Sequence, residues 1–128
     1  MADELRVLVV DDVRDAAEMM AMVLALEGFH ARTAFDGLQA LEVAEEFGPH
    51  VVLFDIGMPR MDGCDLSRTL REQYGDDVIL IAMTGRDVND HRVATAMHRA
   101  DHYFLKPVDI DALRRVLSMP MPRTHPRG

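Results

Sequence analysis

The chain alternates between short unbroken apolar runs and longer stretches in which apolar residues recur at helical spacing. Val7-Leu8-Val9-Val10, Val51-Val52-Leu53-Phe54 and Val78-Ile79-Leu80-Ile81-Ala82-Met83 have no polar interruption. A strand with one solvated face would alternate, so these runs predict strands covered on both faces, as in a parallel sheet under helices. His30 to Phe35 and His102 to Leu105 predict two further, more peripheral strands. Ala17, Met20, Ala21 and Leu24 stand at i, i+3, i+4 and i+7 and predict a first helix closed by Gly28. Leu38, Leu41 and Ala44 predict a second, stopped by Gly48-Pro49. Leu66, Leu70 and Tyr74 predict a third, ended at Gly75. Val93, Ala96, Met97 and Ala100 predict a fourth, and Ile110, Leu113 and Leu117 a fifth. Asp62 and Asp109 precede the third and fifth as N-caps.

Strands alternating with helices predict an α/β, flavodoxin-like doubly wound (βα)5 fold. Right-handed crossovers give a five-stranded parallel sheet in the order 2-1-3-4-5. Ligands in such folds bind outside the carboxyl ends of the strands, near the switch point between strands 1 and 3. The pattern assigns residues 1–118 to one domain. From Met119 to Gly128 there are three prolines, two arginines and no apolar period, which predicts a disordered tail or linker.

Composition narrows the function classes. The formal net charge of −8 argues against nucleic acid or an anionic membrane surface as a direct partner. No stretch approaches the roughly 20 apolar residues of a membrane span. Met1 to Arg6 is charged and runs straight into a strand, so the expectation is no signal peptide and a cytoplasmic location. The single cysteine, Cys64, excludes an internal disulfide and reads as a small packing residue. Thirteen arginines accompany one lysine, Lys106, which suggests a place where a guanidinium would not fit.

The strand ends carry the candidate chemistry. Strand 1 ends in Asp11-Asp12, strand 3 in Asp55, strand 4 in Thr84-Gly85 and strand 5 in Lys106-Pro107. Carboxylates about 4 Å apart repel by roughly 4 kcal/mol at an effective dielectric near 20, so the cluster should take up protons or a cation. Oxygen-only ligands favour a hard ion, and Mg2+ over a closed calcium cage where water completes the shell. A carboxylate nucleophile beside a divalent cation, a fixed ammonium and a hydroxyl is the equipment of acyl-phosphate chemistry. Adjacent aspartates alone are as often turn formers or helix caps. The five residues at matching strand ends carry the argument.

These segments are similar to those of bacterial response-regulator receiver domains. The resemblance runs from Arg6 to Leu117 through Val7-Leu8-Val9-Val10-Asp11-Asp12 and Asp55-Ile56-Gly57-Met58-Pro59-Arg60-Met61-Asp62-Gly63. It continues through Ala82-Met83-Thr84-Gly85 and Ala100-Asp101-His102-Tyr103-Phe104-Leu105-Lys106-Pro107. The wording Asp-Ile-Gly-Met-Pro and Lys-Pro-Val-Asp looks most like receivers attached to hybrid sensor kinases. The resemblance implies that Asp55 accepts a phosphoryl group from a phosphohistidine on a histidine kinase or histidine phosphotransfer protein. It implies Mg2+ held by Asp12, Asp55 and the Gly57 carbonyl, with Asp11 acting mainly through water. Lys106 would pair with Asp55, Thr84 would bond the phosphoryl group, and Tyr103 would swing inward behind it. Pro107 would follow a cis peptide bond. Gly57 and Arg86 stand where the family tunes phosphate lifetime. Output would pass through the face of helix 4, strand 5 and helix 5 to another protein or a second copy. His91, Arg92, His98, Arg99, Arg114 and Arg115 would make that face basic.

The bland readings of other features are retained. The six histidines are scattered and read as surface residues rather than ligands, and Met19, Met20 and Met22 read as helix packing rather than a partner groove. A haloacid-dehalogenase-like phosphatase would need an acid two residues past its nucleophile, where this chain has Gly57. A pseudo-receiver would have lost the acceptor, the acidic pair or the lysine, and none is lost.

Overall fold

The computed structural model describes residues 5–58, 61–85 and 90–119. Within them the strands are β1 (Arg6–Val10), β2 (His30–Ala34), β3 (Val51–Asp55), β4 (Ile79–Thr84) and β5 (His102–Leu105). The helices are α1 (Arg14–Leu26), α2 (Gly37–Phe47), α3 (Gly63–Tyr74), α4 (His91–Arg99) and α5 (Ile110–Ser118), with a 3-10 turn at Gly75–Asp77. All neighbouring strands pair in parallel in the order β2-β1-β3-β4-β5, as the alternation predicts. The expectations for Pro59, Arg60, Arg86 and residues 120–128 lie outside the described residues.

Each central strand feeds both layers, which is why its sequence does not alternate. Leu8, Val10, Val52, Phe54, Leu80 and Ala82 pack under α2, α3 and α4. Val7, Val9, Val51, Leu53, Ile79, Ile81 and Met83 pack under α1 and α5. Each such Val, Leu, Ile, Phe or Met side chain, taken wholly out of water, contributes about 1.5–3 kcal/mol before chain entropy is counted. α3 contributes Leu66 and Leu70 to this core, whereas α4 contributes only Val93 and Ala96 as buried residues. α4 is thus held by fewer large buried apolar side chains than α3.

Helix starts follow the expected chemistry. Asp62 and Asp109 cap α3 and α5, and Asp36 and Asp90 cap α2 and α4 in the same way. At α2 the cap is reciprocal: Gln39 N–H donates to Asp36 Oδ1 at 2.7 Å, and Gln39 Oε1 accepts from Phe35 N–H at 2.8 Å. Two expectations for helix faces are corrected. Leu38 is 57% exposed, because α2 turns its small face, Gly37, Ala40, Val43 and Ala44, onto the sheet. Met19 and Met22 are 67% and 64% exposed and do not pack, while Met20 is half-buried against the α1–α5 core.

Candidate functional site

β1 and β3 lie side by side with Val10 opposite Phe54, so the residues that follow or end them meet at one edge. Asp11 stays in line because its N–H donates to Ala34 O at 3.1 Å, continuing the ladder to β2. Asp55 is fixed similarly, since Ile56 N–H donates to Met83 O at 3.0 Å beyond it. Asp11 and Asp55 are buried and Asp12 is exposed, yet carboxylate oxygens of all three lie within 4.8 Å of one another.

Lys106 reaches the cluster from β5. Its backbone N–H donates to Thr84 O at 2.9 Å, which aligns β5 with β4 past the last strand residue. Its Nζ lies 2.9 Å from Asp55 Oδ2 and 3.3 Å from Asp11 Oδ2, so the one lysine bridges both buried carboxylates. The Lys106-Pro107 peptide is cis, as expected. Thr84 is fully buried at the end of β4, beside the Met83 that pairs with Asp55. The remaining oxygens of the aspartates take backbone donors: Val13 N–H to Asp11 Oδ1 at 3.0 Å and Gly57 N–H to Asp55 Oδ1 at 3.1 Å.

The electrostatics are unbalanced. Among the described residues, three carboxylates gather around one ammonium. Burial pushes the Asp11 carboxyl above its ordinary range, and neighbouring Asp55 adds to this against the pull of the Val13 N–H and Lys106. Burial alone would lower Lys106, but Asp55 and Asp11 together overcome it and hold the ammonium above its usual value. Such a site gains from an added cation, and its donors are all oxygen, which fits a hard ion such as Mg2+.

The loop after Asp55 folds back tightly. Gly63 N–H donates to Ile56 O at 2.8 Å, and a Cβ on Gly63 would stand 2.5 Å from Ile56 Cα and 3.1 Å from Asp55 O. Gly63 is therefore required by close approach.

The response regulator receiver domain profile matches residues 7–118 of the chain. The chain belongs to the response regulator receiver family. Response regulator MprA of Mycobacterium avium (strain 104) is 35% identical over 122 residues, 95% of this receiver and 53% of that protein. The chain thus spans about half the length of the curated relatives it matches. Among solved structures, chemotaxis protein CheY4 of Vibrio cholerae superposes with a TM-score of 0.80 at 25% identity, covering 90% of this chain and 97% of that one. Response regulator TrrA of Thermotoga maritima, solved in complex with Mg2+-BeF, gives 0.78 at 28% identity, covering 88% and 96%.

Tyr103 stands on β5 at 54% exposure, and Leu105 is exposed beside it. Two features of this receiver were missed or misread in the sequence. The basic residues expected on that side are partly engaged elsewhere. Arg92 and Arg99 bond to α3, and Arg114 bonds to Asp111 and Glu27. Finally, Asp11 and Lys106 line an apolar groove of about 570 Å³ together with Met19, Met20 and Val23 of α1 and Pro107, Val108 and Ile110. The run from Ala16 to Leu26 has Glu18 as its one polar residue, so periodicity could not tell its exposed side from its buried one. Among the described residues no helix is long and apolar enough to cross a membrane.

Proposed function

We propose that this receiver is a phosphorylation-controlled switch in which Asp55 accepts a phosphoryl group from a phosphohistidine of a histidine kinase or phosphotransfer protein. The observation that carries the reading is Lys106 Nζ at 2.9 Å from Asp55 Oδ2 within a cluster of three convergent carboxylates. In the transfer the Asp55 oxygen bonds phosphorus as the donor's P–N bond breaks, and the electron pair returns to the donor imidazole. Lys106 offsets charge on the phosphoryl oxygens, and Thr84 donates its hydroxyl to one of them. Asp12, Asp55 and the Gly57 carbonyl would hold Mg2+, with Asp11 acting through water. When bound, the ion neutralises charge developing on the phosphoryl group.

The groove along α1 supports docking of the phosphodonor, because Asp11 and Lys106 are among the residues that line it. A helical donor with an apolar face would cover Met19 there. Output would pass through α4, β5 and α5, where Tyr103 and Leu105 are exposed, to another protein or to a second copy of this chain.

Incubation with acetyl phosphate and Mg2+ tests the acceptor. One phosphoryl mass should be added, and Asp55→Asn should abolish it; unchanged labelling of that variant would overturn the assignment. Met19→Glu should slow transfer from a phosphodonor protein while leaving acetyl phosphate labelling intact.

A further inference from the structure

α4 is tied to α3 at both ends, by two different kinds of bond. In its last turn, Arg99 Nη1 donates to the Cys64 carbonyl at 2.7 Å and to Ser67 Oγ at 3.1 Å. Ser67 is fully buried, and its hydroxyl donates in turn to Cys64 O at 3.0 Å. These acceptors are a backbone carbonyl and an interior hydroxyl, which neither titrate nor respond much to salt. In the first turn, Arg92 closes on a carboxylate instead. Its Nε lies 2.7 Å from Asp62 Oδ2, and its Nη2 lies 2.9 Å from Asp62 Oδ1 and 3.2 Å from Asp65 Oδ2. The Arg92 side chain is 52% exposed. With only Val93 and Ala96 buried between them, α4 has a fixed end at Arg99 and a releasable end at Arg92.

The acceptor at the releasable end belongs to the site. Asp62 caps α3 by accepting from Asp65 N–H at 3.0 Å, and the next residue, Gly63, binds back to Ile56. Arg92 also shares a notch with Gly57 and Met58, directly after Asp55. A movement of α4's first turn and a movement of the acceptor loop therefore meet at one guanidinium.

We propose that Arg92 is a latch: by binding Asp62 it couples the first turn of α4 to the acceptor loop and holds α4 in its unphosphorylated position. This rests on the reading of Asp55 as phosphoacceptor. Linkage then fixes the sign. A contact that favours the unphosphorylated arrangement opposes occupation of the phosphoryl site by the same factor, and removing it favours occupation.

The test pairs amide exchange in the metal-free protein with a beryllofluoride titration in Mg2+, on wild type, Arg92→Gln and Arg92→Lys. In Arg92→Gln the amides of Val93 to Ala96 should exchange about two- to five-fold faster, the range expected for an exposed ion pair. Ala100 and Asp101, at the fixed end, should be unchanged. The beryllofluoride midpoint should fall by the same factor, with Arg92→Lys between, because an ammonium keeps the charge and loses the fork. Unchanged exchange, or faster exchange with an unchanged or higher midpoint, would overturn the latch. A wild-type chain that takes no beryllofluoride would overturn the reading of Asp55, and the latch with it.

Discussion

Two partly buried charge clusters among the described residues differ in how their charges are balanced. At the corner of α3, β4 and β5, Arg71 Nη2 meets Asp101 Oδ2 at 2.8 Å, and its Nη1 donates to Gly75 O at 2.8 Å and Val78 O at 3.0 Å. Asp101 Oδ2 also accepts from Leu80 N–H at 2.8 Å. One cation meets one carboxylate, and the backbone takes the remaining donors. At the carboxyl ends of β1, β3 and β5, three carboxylates gather while the ammonium of Lys106 bonds two of them, Asp11 and Asp55. In the first cluster the charges match within the protein; on the proposed function the second would be completed by an added cation and by a phosphoryl group held by Lys106 and Thr84. Charge imbalance, more than burial, separates a structural pair from a ligand site.

Removing Arg71 should have the largest effect on stability. Arg71→Ala removes the guanidinium donor from the Gly75 and Val78 carbonyls and the cation from the Asp101 carboxylate, which keeps its bond from the Leu80 N–H, and should cost about 2–3 kcal/mol in urea unfolding. Phosphorylation of the folded fraction should persist. At the other cluster the pattern should reverse. Asp12→Ala should leave stability within about 0.5 kcal/mol, because the side chain is exposed. It should weaken Mg2+ binding at least ten-fold, roughly, as loss of a ligand does, and more than Asp11→Ala. Equal Mg2+ affinity in wild type and Asp12→Ala, read by titration, would break the comparison.

The smallest effect is a pH dependence at the start of α3. The Arg92 hydrogen bonds hold the Asp62 carboxyl below its ordinary value of 3.8, partly opposed by burial and aided by the Asp65 N–H. A depressed carboxyl contributes stability that is present above the unfolded value and lost as pH falls through the folded one. The stability advantage of wild type over Arg92→Gln should therefore be constant near neutrality and shrink as pH drops below about 4. NMR titration should find Asp62 moved up towards the ordinary range in the variant.

The sheet and the site were largely legible in the sequence because both rest on local pattern. Strands buried on both faces read as unbroken apolar runs, and the strand ends follow directly: Asp11, Asp12, Asp55, Thr84 and Lys106 lie where those runs predict. What was not legible depends on distance in the chain or on symmetry of the pattern. Arg92 and Asp62 are thirty residues apart, and nothing local marks Arg92 among thirteen arginines. On α2 the larger Leu38 invited assignment to the core, but close packing on the sheet takes the small residues and leaves it outside. On α1 the apolar residues surround the helix, so the groove-forming Met19 was indistinguishable from a core residue.

The central claim is that the phosphoryl group resides on Asp55, and reading the modified residue tests it most directly. The protein would be treated with acetyl phosphate and Mg2+, the acyl phosphate reduced with borohydride, and the peptides sequenced by mass spectrometry. Borohydride converts an aspartyl phosphate to homoserine and leaves free aspartate untouched. The account predicts homoserine at position 55 alone, and only when both phosphodonor and Mg2+ are present. Homoserine at position 11 or 12, or conversion of Asp55 without the donor, would contradict it.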